Sequence, residues 1–352
     1  MWTPQGWQCL VWTPQGWQWA LWTAQGWQLP APLGPAPEPG LRRHHPAPHG
    51  EPTPYPLLLR TPRSRPWHPL LGLATVIAVA LVSALLVFGG AALAVAIIDD
   101  PSIASQADLD DLTGPLGLLA GNLMIAALIP ATVLAVLIVH GERPGWLNSV
   151  TRRLRMRLLL TSGALALAVQ IAALGAFVAL SAAGLDLELT EGEAQWPGAR
   201  TFLALLVVIL LTTPVQAAGE EYLFRGYLIQ GAGIWTRSPW IPGVVTSLLF
   251  AAAHGPQDPW LFSDRFAFGL IAWALTLRTG GLEAAIALHV VNNLVVLIAA
   301  AATDEIDSSL AISDIPASMA VFDIAVLAVS GYLLDRNARR LGVARHTTPT
   351  GI

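Results

Sequence analysis

The sequence predicts an all-α fold: a polytopic helical membrane protein with about eight transmembrane helices. Three observations carry the prediction. Of the 352 residues 54% are hydrophobic and only 12% charged, with a mean hydropathy of +0.56; a soluble domain carries about 25% charged residues. Apolar runs long enough to cross a bilayer recur along the chain, separated by short polar segments. Arginine-rich segments alternate with acidic ones along the chain, the bias that orients helices in a membrane. Every basic residue is arginine, the net charge is −4, and neither fact argues for a nucleic-acid partner. The single cysteine, Cys9, excludes an internal disulfide framework and a cysteine-based metal site.

The first part of the chain holds a repeat of period ten, WTPQGWQ at 2–8 and 12–18 and WTAQGWQ at 22–28. The period is shorter than a solenoid unit of about 20 to 50 residues. The repeat reads either as a Trp-rich interfacial tail or as low-complexity sequence. From 29 to 66 the chain is rich in Pro and carries Arg42, Arg43, His44, His45, Arg60, Arg63 and Arg65. Residues 1–66 are therefore expected to be a disordered, basic, cytoplasmic N-terminal segment in which His44 and His45 are solvated. No basic start followed by an apolar core stands at the N-terminus, so no cleavable signal peptide is expected.

A transmembrane domain is expected over 67–335, with candidate spans near 69–98, 116–139, 158–183, 201–234, 241–254, 261–277, 282–302 and 315–334. The first ends at Asp99 and Asp100. Acidic connections carry Asp108, Asp110 and Asp111, then Asp186, Glu188, Glu191 and Glu193, then Asp304, Glu305, Asp307 and Asp314. The alternate connections carry Arg143, Arg152, Arg153, Arg155 and Arg157, then Arg237, then Arg278. A basic cytoplasmic tail, 336–352, holds Arg336, Arg339, Arg340 and Arg345. This alternation is consistent with eight spans and both termini in the cytoplasm. The fifth candidate is short, and the sixth begins close to Asp264 and Arg265.

The stretch 214–230, PVQAAGEEYLFRGYLIQ, places Glu220, Glu221 and Arg225 inside the fourth span. Ionisable groups inside a membrane segment are costly and mark functional sites. Glu221 and Arg225 are four apart, on one helical face, with the acid N-terminal to the base in the favourable order. Glu220 points about 100° away around the helix and lacks that partner, which leaves it as a candidate general base. Two further pairs have the same spacing: Phe250 with His254 at the end of span five, and His289 with Asn293 in span seven. Taking the turn between spans four and five near 238–239, Glu220 and His254 both lie roughly 20–25 Å from it at ~1.5 Å per residue. An acid and an imidazole at matched depth on adjacent helices can share one water. Taken singly, each element also fits a structural part: a membrane histidine is often only packed and hydrogen-bonded, and Asn293, or its neighbour Asn292, can simply tie helices together.

Together the motifs EEYLFRG, FAAAH and HVVNN, in this order, resemble those of the CAAX protease and bacteriocin-processing family, also called Abi, whose members are intramembrane endopeptidases. The resemblance covers about 201–301. It implies a helical membrane fold with an intramembrane catalytic cavity, a role for Glu220 and His254 in activating water, and one for His289 and Asn293 in holding the oxyanion. Arg225 and Glu221 are expected to fix the helix and tune Glu220. The implied activity is hydrolysis of a peptide bond near the membrane surface, in a membrane-associated protein or lipidated peptide, by an integral protein of the lipid bilayer of a bacterial cell membrane.

Other classes use the same residues. A proton- or ion-coupled transporter would employ the carboxylates as a relay, and a catalytically silent scaffold or immunity protein would carry the site unused. Within the protease reading, zinc is possible through Glu220, His254 and His289. However, the familiar zinc-protease signature sets two histidines at i, i+4 on one helix with a glutamate between them. Here the histidines lie on different spans, and using all three groups as ligands leaves no obvious base. No cofactor is expected to be obligatory, and the reading favours a glutamate-type enzyme.

Overall fold

The computed structural model describes residues 2–3, 6–13, 16–23, 26–28, 50–97, 114–184 and 195–348. The chain divides into two compact units, Met1–Ala47 and Pro48–Ile352. The acidic connections with Asp99 to Asp111 and Asp186 to Glu193, and the Arg42–His45 cluster, lie outside the described residues.

The first unit departs from the expectation of disorder. Its described residues form four antiparallel strands, β1 (Trp2–Thr3), β2 (Gly6–Thr13), β3 (Gly16–Thr23) and β4 (Gly26–Gln28), hydrogen-bonded in sequence order. The register aligns Trp2 with Trp7, Trp12 with Trp17 and Trp22 with Trp27. The repeat has a structural meaning that composition hides. Each copy ends one strand with Trp-Thr and starts the next with Gly-Trp-Gln, and aromatic and β-branched residues favour that pleated geometry.

The second unit is a helical bundle, as the composition requires. Its helices are α1 (His68–Ile97), α2 (Pro115–His140), α3 (Met156–Ala182), α4 (Ala199–Trp235), α5 (Trp240–Ala252), α6 (Pro259–Thr279), α7 (Glu283–Thr303) and α8 (Ala317–Arg340). All but α5 are long and apolar enough to cross a membrane. Their outer faces carry exposed Leu85, Leu86 and Leu211, a pattern suited to hydrocarbon as solvent. Exposed Trp67, Trp235 and Trp240 ring one end of the bundle, and exposed Trp196 and Trp260 stand at the other, as interfacial aromatics do.

The fifth candidate span requires correction. Helix α5 has 13 residues, about 20 Å at 1.5 Å per residue, against roughly 30 Å of hydrocarbon. Gly255, at φ +83°, and Pro256 end it. Helix α6 then starts on Asp258, whose carboxylate accepts from Leu261 N (2.9 Å) and Trp260 N (3.1 Å). The Leu261 amide, with that of Trp260, holds this carboxyl below its usual range. Helices α5 and α6 thus form a hairpin that returns the chain to the arginine-rich end, so the alternation of the other spans is unchanged.

The boundary at 66 also moves. Tyr55, Leu58 and Leu59 are fully buried, and Tyr55 OH donates to Leu147 O. Thr53 and Thr347 exchange hydrogen bonds through Thr53 N to Thr347 Oγ1 (2.9 Å) and Thr347 N to Thr53 O (3.0 Å). The Pro-rich stretch from residue 50 is therefore a docked strap, because its Tyr-Pro-Leu-Leu-Leu run has apolar surface to bury. The tail expected from 336 begins inside α8.

Helix α7 is the most buried of the spans and touches α3, α4, α6 and α8. Its small side chains, Ala284, Ala285, Ala287, Ala300 and Ala301, permit that close approach. Its start is pinned by Glu283, which receives Arg155 Nε at 2.7 Å and Arg155 Nη2 at 2.6 Å in a bidentate pair. Helix α2 approaches α4 at Gly219, where a Cβ would stand 2.6 Å from Ile125 O. Those contacts set the depth and rotation of the next residue, Glu220.

Candidate active site

Helix α4 is irregular where it carries charge. Pro214 interrupts its hydrogen-bond ladder, and from Tyr222 to Leu228 the turns widen to π-helix, a feature frequent at functional sites. Across the start of that widening, Arg225 Nη1 donates to Glu221 Oε1 at 2.8 Å, with both side chains wholly buried. The guanidinium lies 4.3 Å from the Phe250 ring centroid, 5.6 Å from Phe268 and 5.9 Å from Phe224. Arg225 Nε and Nη2 and Glu221 Oε2 make no hydrogen bond among the described residues. The aromatic faces, with their negative quadrupoles, take the place of polar partners for the cation. Phe250 of the Phe-x3-His pair therefore serves the arginine.

His289 of α7 reaches both glutamates. Its Nδ1 lies 2.7 Å from Glu221 Oε1 and its Nε2 3.2 Å from Glu220 Oε2. Glu220 is thus not the unpaired member of the carboxylate pair that helical spacing alone suggests. A doubly donating ring satisfies both acids; a neutral ring donates to one and leaves a proton on the other. In either arrangement Glu220, Glu221, Arg225 and His289 sum to zero charge, the condition under which such groups sit in a low-dielectric interior. Both nitrogens being engaged, His289 offers no free donor for an oxyanion in this arrangement.

His254 follows the end of α5. Its Nδ1 lies 2.8 Å from Phe250 O, and donation to that carbonyl leaves Nε2 as an acceptor. It makes no direct hydrogen bond to Glu220 among the described residues, but the two are close enough to feel each other's charge. Glu220 keeps some exposure, 13% of its side chain, where Glu221 has none.

Asn293 Nδ2 donates to Gln216 Oε1 at 3.3 Å. Gln216 precedes Glu220 by four residues and Asn293 follows His289 by four, so two polar rungs, one turn apart, join antiparallel α4 and α7. Gln216 lies outside the three motifs, although its i−4 spacing from Glu220 is visible in the sequence. Phe268 was also missed, and no local signal marks it. Asn292, the competitor of Asn293, is held elsewhere: Gln170 Nε2 donates to its Oδ1 at 3.0 Å. Beyond the rungs, Asn122 Nδ2 donates to Thr212 Oγ1 (2.7 Å) and Thr213 Oγ1 (3.2 Å), continuing the polar stripe along α4.

The fold and site define an integral membrane protein with a charge-balanced acid–imidazole–guanidinium cluster set inside its helical bundle. Residues 201–295, which include α5 and α6 and all six motif residues, match the family model of the type II CAAX prenyl endopeptidase Rce1-like domain. The chain is 29% identical over 102 residues to the uncharacterized protein YyaK of Bacillus subtilis (strain 168), a match of 27% of this chain and 34% of that protein. It is 35% identical over 88 residues to an uncharacterized 24.3 kDa protein of Escherichia coli, a match of 24% of this chain and 38% of that protein. The matches thus span about a third of each curated relative. No solved structure matches.

Proposed function

We propose that the protein is an intramembrane endopeptidase, of the CAAX protease type, that hydrolyses a peptide bond of a membrane-associated protein or lipidated peptide. The observation that carries the reading is the pair of rungs between α4 and α7: a partly exposed carboxylate oriented by an imidazole, one turn from an amide pair. Water between Glu220 and His254 adds to the scissile carbonyl carbon as Glu220 takes its proton. The developing oxyanion is met by amide hydrogens of Asn293, held in place by Gln216. The C–N bond then breaks as Glu220 passes the proton to the leaving amine. In this reading His289 orients Glu220 instead of contacting the oxyanion, and Arg225 holds Glu221.

The donor set supports a metal-independent route. His289 presents both nitrogens to carboxylates, and His254 Nδ1 faces a carbonyl. Among the described residues no three His, Cys, Asp or Glu side chains are grouped to hold a metal ion. The deciding measurement is elemental analysis of active protein with activity before and after a strong chelator. About one zinc per chain, with activity lost on stripping and restored by zinc, overturns the route.

The reading places both termini on the cytoplasmic side of a bacterial cell membrane. Cys9, the sole cysteine, tests it: a membrane-impermeant maleimide labels Cys9 in inside-out vesicles and not in intact cells, and the reverse result refutes the orientation. The activity itself is tested by comparing newly formed protein termini in cells carrying the wild-type chain or Glu220→Gln. Identical sets of termini would refute the protease reading and leave a transporter or a silent scaffold.

A further inference from the structure

The arginine-rich end of α8 carries more charge than its ion pairs use. Asp335 binds Arg278 at 2.7 Å and also Arg339, so one carboxylate is shared by two guanidinium groups and the trio keeps one positive charge. Arg336 and Arg340 are one turn apart on an adjacent face and form no ion pair among the described residues. Both line a groove of about 460 Å³ between α3 and α8, together with Thr161, Leu165, Leu333 and Asn337.

The groove has a polar end and an apolar end, and their order follows from helix direction. Helix α3 starts at the arginine-rich end and α8 finishes there. Asn337 Nδ2 donates to Thr161 Oγ1 at 2.9 Å, which fixes the two helices in antiparallel register. One turn deeper on each helix, toward the bilayer centre, come Leu165 and Leu333. One turn shallower on α8 comes Arg340. The wall thus runs from Arg340, through Asn337 and Thr161 with Arg336 beside them, to the leucines along the membrane normal. Its flanks, Leu160 and Tyr332, are 66% and 61% exposed and face the lipid.

We infer that this groove binds an anionic phospholipid, its phosphate between Arg336 and Arg340 and the first part of an acyl chain over Leu165 and Leu333. Two guanidinium groups without ion-pair partners among the described residues match the phosphate of a lipid with a net negative charge. The leucine half has no use for a free anion, which separates a lipid from soluble phosphate. The inference is independent of the proposed peptidase activity.

The test uses the full chain in detergent micelles doped with phosphatidylglycerol or with phosphatidylcholine of the same acyl chains, and counts retained lipid by native mass spectrometry. The wild-type chain should retain phosphatidylglycerol in preference to phosphatidylcholine. Arg336→Gln/Arg340→Gln should retain it roughly tenfold to thirtyfold less, the scale of two interfacial arginines. Arg63→Gln/Arg153→Gln, which removes equal charge outside the groove, should bind as the wild type does. Equal loss in both double variants, no loss in either, equal retention of the two lipids by wild type, or displacement of phosphatidylglycerol by inorganic phosphate would each overturn the assignment. The last two comparisons need only the wild-type chain, so a poorly folding variant does not shield the proposal.

Discussion

His289 Nε2 stands 3.2 Å from Glu220 Oε2, so the glutamate left alone by helical spacing is held by a residue 69 positions further along the chain. The contact separates two kinds of variant. Glu220→Gln keeps an acceptor for the imidazole and is expected to melt close to wild type while losing cleavage by about 10²-fold or more. His289→Ala removes the bridge to both acids and is expected to lose activity and also stability, by about 3–5 kcal/mol, the usual penalty for breaking a buried pair. Detergent unfolding curves of the two purified proteins check this; equal midpoints would show that the bridge is not formed.

Arg225 has one acid partner and three aromatic neighbours. Arg225→Ala abandons Glu221 in a site with no solvent and is expected to cost about 3–5 kcal/mol. Phe250→Leu keeps the volume filled but removes the nearest π face, for an expected loss of about 1–2 kcal/mol. Chemical denaturation ranks the two, and a Phe250→Leu protein as unstable as Arg225→Ala would mean that packing, not the cation–π contact, dominates there.

Gln216 distinguishes a positioned amide from a merely packed one. Gln216→Leu frees Asn293 to rotate and is expected to lower kcat by about 10²-fold, the scale of losing an oxyanion donor, with KM and melting temperature little changed. A proportional fall in stability and rate would instead mark Gln216 as structural.

The docked strap makes truncation a graded experiment. A chain starting at Gly50 is expected to insert and melt like the full-length protein. One starting at Trp67 loses buried Tyr55, Leu58 and Leu59, each worth about 1.5–3 kcal/mol when fully buried, and should melt markedly lower. Equal melting of the two would show that the strap contributes nothing.

The long helices and the six motif positions were legible in the sequence because apolar run length and i, i+4 spacing are local properties. What was hidden depends on contacts between segments. No spacing rule tells which of two adjacent glutamates a histidine on another helix will meet, and here it meets both. The Pro-rich strap has the composition of a disordered segment, and its order comes from the surface that Tyr55, Leu58 and Leu59 cover elsewhere in the fold. The shortness of α5 was signalled by Gly255-Pro256, and a 14-residue candidate at 241–254 was already too brief to cross a bilayer.

That short helix ends with backbone carbonyls that have no partner within the helix. Gln257 Nε2 covers Ala251 O at 2.6 Å, and the His254 ring covers Phe250 O at 2.8 Å. His254 is therefore a stopper for the helix end as well as an imidazole near Glu220, so lengthening α5 by a turn would carry that imidazole away with the helix end.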